Sequence, residues 1–196
     1  MPGAAGAGAF WAPVVERLPT TWQIRVLDLP GLGRIPRRAD VASYSDLVDY
    51  VARTIETPTA LVAQSMGAFV VLELALRYPL LVTHLVLVAA TGGVDMAAHG
   101  AADWREEYRT TYPHAEPWAS ASVPDLTGRL GTIKSPVLLI WATHDALSPI
   151  GVAHTLASKL ARTSFVSFTS DDHWVIHQFP SESAAAIESF LIRGPR

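Results

Sequence analysis

Thr59-Ala-Leu-Val-Ala-Gln-Ser-Met-Gly-Ala-Phe-Val-Val-Leu72 is the stretch that decides the fold of this 196-residue chain. Its first residues have the apolar composition of a buried β-strand, and those after Ser65 have that of a buried helix. A strand that passes directly into a helix leaves the serine on a sharp, strained turn. Ala63 and Gly67 flank Ser65 two residues to either side, and their small size allows the strand end and the first helical turn to approach closely. The stretch therefore predicts a serine hydroxyl displayed at the end of a strand.

A serine hydroxyl becomes a good nucleophile only when a neighbouring base takes its proton and a third group orients that base. Asp145 ends the apolar run 136–145, and His173 comes shortly after the β-like run 164–170. Ser65, Asp145 and His173 thus all follow apolar strands, and parallel sheets place their sites at the carboxyl ends of strands. The sequence predicts that these three side chains meet.

Other interpretations of the same residues remain open at this point. Ser65 could cap the following helix, and Asp145 could form an Asx turn. His177, one helical turn after His173, is a rival base. The two histidines, with the acidic pair 171–172 beside them, could also ligate a metal. The H-E-x-x-H pattern of such sites is missing, so we predict no metal.

Several further segments resemble the α/β-hydrolase superfamily, and the resemblance extends over nearly the whole chain. In that superfamily the serine turn is the nucleophile elbow, here with alanine at its first glycine position. The matching implies that Ser65 is the nucleophile, His173 the base and Asp145 the orienting acid. The other matching segments are Trp22–Gly33 (fourth strand and D-x-P-G-x-G turn), Val82–Ala90 (sixth strand), Pro136–Pro149 (seventh strand and acid loop), His173–Pro180 (histidine loop) and Glu182–Ile192 (last helix).

The resemblance implies one α/β domain over residues 1–196, with a mostly parallel sheet flanked by helices and a short cap at residues 91–135. It also implies N-terminal truncation, because the first residues resemble the loop after the third strand of relatives and no strand precedes them. We favour a shortened version of a longer protein over a closed-up fold in which Arg25–Leu29 pairs with Ala60–Ala63. Unpaired strand edges would otherwise leave backbone groups without partners, at about 1–3 kcal/mol each.

The implied activity is cleavage of a small carboxylic ester through an acyl-enzyme, as in a carboxylesterase. The oxyanion would accept hydrogen bonds from the backbone N–H groups of Met66 and Ala4. Serine at the elbow argues against haloalkane dehalogenase and epoxide hydrolase chemistry, which uses aspartate there in relatives, whereas thioester, lactone and amide substrates remain open. The alternative is a non-catalytic, ligand-binding pseudoenzyme, because the N-terminal sheet and oxyanion loop are incomplete.

One convincing helix, Ala102–Pro113, is predicted within the cap. Trp104, Tyr108 and Tyr112 recur every four residues and so share one face. They could form an aromatic ceiling over a substrate pocket, to which we also assign Trp174, or they could pack on the sheet edge. A second helix is predicted near residues 125–130.

Bulk properties exclude several classes of protein. The net charge of −3 and only two lysines provide no basic stripe for nucleic acid. The absence of cysteine permits a reducing compartment, and the start lacks the pattern of a secretory signal, so we expect a cytoplasmic protein. The apolar stretch 69–90 contains charged residues and a proline, which argues against a membrane span. We expect a small-molecule ester as partner and no cofactor; the oligomeric state is not indicated.

Overall fold

A four-stranded parallel sheet lies at the centre of the computed structural model, which describes residues 1–193. Its strands are ordered as they occur along the chain, and each pairs in parallel with the next. This confirms the expected parallel sheet. The strands are β1 (Thr59–Gln64), β2 (Val82–Val88), β3 (Val137–Ala142) and β4 (Thr163–Phe168).

In the described part of the chain, seven α-helices surround the sheet, and short 3-10 helices mark several turns. Within residues 1–193, no helix is both long and apolar enough to cross a bilayer. The α-helices are α1 (Ala12–Val15), α2 (Tyr44–Arg53), α3 (Met66–Arg77), α4 (Arg105–Thr111), α5 (Ile150–Lys159), α6 (Val175–Gln178) and α7 (Pro180–Arg193). The 3-10 helices are Gly8–Trp11, Pro79–Leu81, Ala97–His99, Pro117–Ser120 and Leu130–Thr132.

Both faces of the sheet are covered by helices, as expected for a parallel sheet in which β3 is apolar and buried along its whole length. Side chains alternate between the faces, so Leu85 lies in the same core cluster as Phe69 of α3, whereas the next residue, Val86, lies in the cluster that contains Ile187 of α7. The helices α2, α3 and α5 cover the first face, and α1, α6 and α7 cover the second. The strands are therefore fixed along their length, and their carboxyl ends can present side chains with little freedom.

The segment Trp22–Gly33 corrects one of our expectations, because it contains no strand. Ile24 and Val26 are 40% and 42% exposed. The alternative that we did not favour, the pairing of Arg25–Leu29 with Ala60–Ala63, is not formed either. A groove of about 720 Å³ separates the two segments.

The N-terminal residues explain this difference. The N–H of Leu29 donates to the carbonyl of Gly6 at 2.8 Å, so the end of the expected strand is tied to the N-terminal loop instead of to β1. The outer edge of β1 is engaged by Met1, whose carbonyl accepts from the N–H of Gln64 at 3.1 Å. The free edge of β1 is thus occupied at its carboxyl end, next to the elbow.

Residues 91–135, which we call the cap segment, contain less regular structure than expected. The predicted helix over Ala102–Pro113 is confined to α4. The prediction of a second helix near residues 125–130 is wrong, because the structure has only a 3-10 helix that begins at Leu130. Asp125 gives the reason: its carboxylate accepts the backbone N–H of Thr127 at 2.8 Å, a local bond that competes with helix formation.

Candidate active site

Ser65 occupies a backbone conformation that non-glycine residues rarely adopt, with φ 53° and ψ −127°. Three backbone hydrogen bonds hold it there. Its N–H donates to the carbonyl of Val88 at 2.9 Å, and its own carbonyl accepts from Ala68 at 2.9 Å and from Thr91 at 3.2 Å. Strain of this kind persists only where the surroundings enforce it. The sheet and α3 together therefore supply the elbow conformation that the sequence predicts.

Glycines allow the N-terminal segment to lie directly against the elbow. A Cβ added at Gly67 would lie 2.2 Å from the carbonyl oxygen of Pro2. A Cβ at Gly3 would lie 2.5 Å from Oε1 of Gln64 and 2.8 Å from Cβ of Ser65. Only residues without a side chain fit these contacts, so the first residues of the chain form one wall of the site.

Three side chains from separate loops meet at the elbow. Nε2 of His173 lies 2.9 Å from Oγ of Ser65, and Nδ1 lies 2.7 Å from Oδ2 of Asp145. The other carboxylate oxygen of Asp145 accepts the backbone N–H groups of Leu147 at 2.8 Å and Ser148 at 3.0 Å. Asp145 thus forms the Asx-type turn considered above and also faces the imidazole. With the proton on Nδ1 directed at the carboxylate, Nε2 is free to accept from the serine hydroxyl.

The alternative roles of the second histidine find no support in its position. His177 lies on α6, where its Nε2 is 2.7 Å from the carbonyl oxygen of Phe10 and its ring packs against that phenyl ring. Across residues 1–193, no group of three or more His, Cys, Asp or Glu side chains is arranged to hold a metal ion.

Thr91 is a site residue that the sequence reasoning missed. Its Oγ1 lies 3.3 Å from Oγ of Ser65, in a buried position. The turn that positions Thr91 has an unusual backbone conformation, with φ 42° at Ala89. It is held by the hydroxyl of Ser148, which donates to the carbonyl of Ala90 at 2.6 Å. The sequence feature that could have identified Thr91 is its position as a polar residue just after the strand that pairs with β1.

Two backbone N–H groups are candidates for binding an oxyanion. Met66 lies in the first turn of α3, where N–H groups lack helical partners. In the N-terminal segment, the carbonyl of Gly3 accepts the N–H of Gly6 at 3.0 Å. The N–H of Ala4 belongs to the same peptide unit as that carbonyl and points the opposite way. Gly3, the residue before Ala4, lies against the side chain of Ser65.

A groove of about 480 Å³ opens next to the elbow. Its wall includes Met66 and Thr91, both neighbours of Ser65, and Leu147 from the loop after Asp145. The groove therefore reaches residues adjacent to Ser65, although Ser65 itself is not on its wall.

The four aromatic residues that we assigned to the pocket occupy different places. Trp104 lines the groove, but Tyr108 is buried with its hydroxyl bonded to backbone groups of Gly33 and Ala4. Tyr112 packs on the ring of Tyr108, and Trp174, directly after His173, is 59% exposed. The face of α4 therefore packs on the N-terminal loop, which neither interpretation of the aromatic stripe foresaw.

Comparisons with known proteins agree with this architecture. A family model described as the alpha/beta hydrolase fold matches residues 1–123. The pimeloyl-[acyl-carrier protein] methyl ester esterase of Neisseria meningitidis is 28% identical over 91% of this chain and 71% of its own length in serogroup A. The serogroup C protein is 39% identical over 91% of this chain and 86% of its own length.

Solved structures show the same fold at lower identity. A thermophilic esterase from Thermogutta terrifontis superposes with a TM-score of 0.78 at 20% identity, covering 98% of this chain and 88% of that one. The resemblance inferred from the sequence is confirmed by the family match and by these relatives. The chain therefore belongs to the alpha/beta hydrolase family.

Proposed function

We propose that this protein cleaves a small carboxylic ester through an acyl-enzyme formed on Ser65. The proposal rests on two consecutive hydrogen bonds of the imidazole of His173. One joins it to the carboxylate of Asp145 at 2.7 Å, and the other joins it to the hydroxyl of Ser65 at 2.9 Å. Both distances suit proton transfer to a general base that is oriented by a carboxylate.

In the first half-reaction, Oγ of Ser65 bonds to the ester carbonyl carbon while its proton passes to Nε2 of His173. The carbonyl oxygen becomes an oxyanion. The bond to the alkoxy group then breaks, and the imidazolium returns the proton to the departing alcohol. Asp145 stabilises the imidazolium while it exists. The products are a free alcohol and an acyl group esterified to the serine.

In the second half-reaction, a water molecule gives a proton to His173 and its oxygen attacks the acyl carbon. The bond to Oγ of Ser65 breaks, and the serine recovers its proton from the imidazolium. The acid leaves and the resting enzyme is restored. In both steps the oxyanion would accept from the N–H groups of Met66 and Ala4, and one such donor contributes about 2.7–4 kcal/mol to transition-state stabilisation.

We place the acyl chain in the groove lined by Trp104 and the cap segment over it as a short lid. The volume of about 480 Å³ suits a compact substrate. The relatives from Neisseria meningitidis reported above are named as methyl ester esterases. We therefore propose methyl esters of short to medium acyl chains as the first substrates to test.

A fluorophosphonate probe tests the proposal directly, because it labels only an activated serine. The native protein should be labelled and should hydrolyse methyl esters, and Ser65→Ala should do neither. Ser158→Ala is the matched control, because Ser158 is exposed on α5 and should leave labelling unchanged. If folded native protein is never labelled, the ligand-binding pseudoenzyme replaces the esterase as the better explanation.

A further inference from the structure

We propose that Tyr108 of the cap segment is a positioning residue that holds Ala4, and with it the oxyanion donor of the N-terminal loop. The inference rests on the acyl-transfer function proposed above. It is carried by two hydrogen bonds of one hydroxyl: Oη of Tyr108 accepts the N–H of Gly33 at 2.8 Å and donates to the carbonyl of Ala4 at 2.9 Å.

The chemistry of the partners fixes the direction of both bonds. A backbone N–H can only donate and a carbonyl can only accept, so the phenol must accept from Gly33 and donate to Ala4. Tyr108 is 7% exposed, and burial raises the pKa of its hydroxyl above the usual value of 10. The hydroxyl therefore remains a donor throughout the neutral and mildly alkaline range. Phenylalanine would fill the same space but make neither bond.

The two peptide units around Ala4 are both tied. The unit before it is held through the carbonyl of Gly3, which accepts from Gly6, and the unit after it is held through the bond to Tyr108. Peptide units are planar, so the first unit sets the direction of the N–H of Ala4, and the bond of Tyr108 to the second unit fixes the position of Ala4 itself. Without the phenol, the unit that carries the donor is anchored on one side only, so the donor can shift away from its position.

The turn that contains Gly33, to which the phenol is bonded, packs against both the N-terminal loop and the cap segment. A Cβ at Gly33 would lie 2.0 Å from the carbonyl of Ala5, so the turn that contains Gly33 touches the loop directly. The cap segment is tied to the same turn, because the N–H of Glu116 donates to the carbonyl of Gly31 at 2.7 Å. Arg37 adds two bonds to carbonyls of the cap segment, at 3.0 Å each. Tyr108 thus joins the lid and the oxyanion loop into one unit.

The kinetic consequence differs from that of a residue that touches substrate. The oxyanion forms only in the transition state, so a loosened donor should reduce kcat more than it alters KM. Removing an oxyanion donor outright costs about 10²–10³ in kcat, and misdirecting it should cost part of that.

The experiment compares Tyr108→Phe with Tyr112→Phe on a methyl ester substrate. Tyr112 lies one turn away on the same side of α4, with its ring centroid 5.0 Å from that of Tyr108. We expect kcat of Tyr108→Phe to fall about tenfold or more with KM changed less than about threefold, and kcat of Tyr112→Phe to stay within about twofold. An unchanged kcat in Tyr108→Phe, or a change confined to KM, overturns the proposal. A native protein without turnover would instead overturn the esterase function.

Amide hydrogen exchange provides a test that requires neither turnover nor a stable variant. In the native protein the amide of Gly33 should be strongly protected, because it donates to a buried hydroxyl. Rapid exchange at Gly33 would mean that the contact does not form, and would overturn the proposal even if Tyr108→Phe failed to fold. In folded Tyr108→Phe, exchange at Gly33 and at the amides of residues 4–6 should accelerate, whereas Tyr112→Phe should retain the native pattern.

Discussion

Thr91 and Ser65 are joined twice: the N–H of Thr91 donates to the carbonyl of Ser65 at 3.2 Å, and their hydroxyl oxygens lie 3.3 Å apart. Either hydroxyl could donate to the other in principle. If His173 takes the proton of Ser65, that proton points at the imidazole, and Thr91 must then be the donor to Oγ. Such a donor orients the serine and stabilises negative charge on Oγ during attack and departure.

Replacing Thr91 with valine should therefore lower kcat by about threefold to tenfold, in line with the roughly 0.5–1.5 kcal/mol of one hydrogen bond. Valine keeps the shape of threonine and removes only the hydroxyl. Thr91→Ser retains the hydroxyl and should preserve most of the rate. Steady-state kinetics on one methyl ester would decide the matter, and native rates in Thr91→Val would exclude a role for the hydroxyl.

The two histidines near the C-terminal helix should behave differently. His173→Ala removes the proposed base and should lower kcat by about 10⁴-fold or more. His177→Ala should leave kcat within about twofold, because its imidazole is bonded to the carbonyl of Phe10 and not to the hydroxyl of Ser65. The measurement is kcat for both variants beside the native enzyme. A larger loss in His177→Ala would reverse the assignment of the base.

Asp145→Asn tests the orienting acid with little change in shape. The amide oxygen of an asparagine can still accept the N–H groups of Leu147 and Ser148. An asparagine has no negative charge to stabilise the imidazolium, and its NH2 group cannot accept the proton on Nδ1 of His173. We expect a loss of about 10⁴-fold in kcat with near-native thermal stability. Asp171→Asn is the control, since Asp171 is exposed and should leave kcat unchanged. Near-native activity in Asp145→Asn would remove Asp145 from the mechanism.

The elbow could be predicted from sequence because its determinants are local. An apolar strand, a serine and an apolar helix follow one another without a gap, and the small residues at Ala63 and Gly67 are required by the turn itself. The positions of Asp145 and His173 also followed, because both come directly after strands and parallel strands bring their carboxyl ends to one edge. Such patterns need no knowledge of distant contacts.

Features that depend on distant pairing could not be predicted. Apolar residues such as Ile24 and Val26 favour a strand, but a strand needs a partner, and the nearest edge of β1 is engaged by Met1. The contact of Thr91 with Ser65 depends on the register of β1 on β2, which pairs Gln64 with Val88. Neither of these contacts can be inferred from a local sequence pattern.

The close packing of the N-terminal segment on the elbow predicts a large effect of one added methyl group. Gly67→Ala would place Cβ 2.2 Å from the carbonyl of Pro2 and should lower the free energy of unfolding by about 1–3 kcal/mol. Gly128→Ala is a matched control, because a Cβ there meets nothing within 4 Å, and it should change that free energy by less than about 0.5 kcal/mol. Urea unfolding measures both. Equal stability of the two variants would mean that Pro2 does not lie against Gly67.

Trp104 should set the length of the acyl chain that the enzyme accepts, because it is the bulky aromatic side chain of the cap segment that lines the groove. Trp104→Ala enlarges the groove, so the optimum of kcat/KM across a series of methyl esters should shift to longer acyl chains by one to three methylenes. Each added methylene that finds apolar contact contributes about 0.8 kcal/mol, so the longer esters should gain severalfold relative to the short ones. Trp174→Ala is the informative comparison. Trp174 is 59% exposed and borders no wall of this groove, so its loss should leave the chain-length profile unchanged. If Trp174→Ala shifts the optimum and Trp104→Ala does not, the acyl chain binds on the opposite side of the nucleophile from the groove proposed for it.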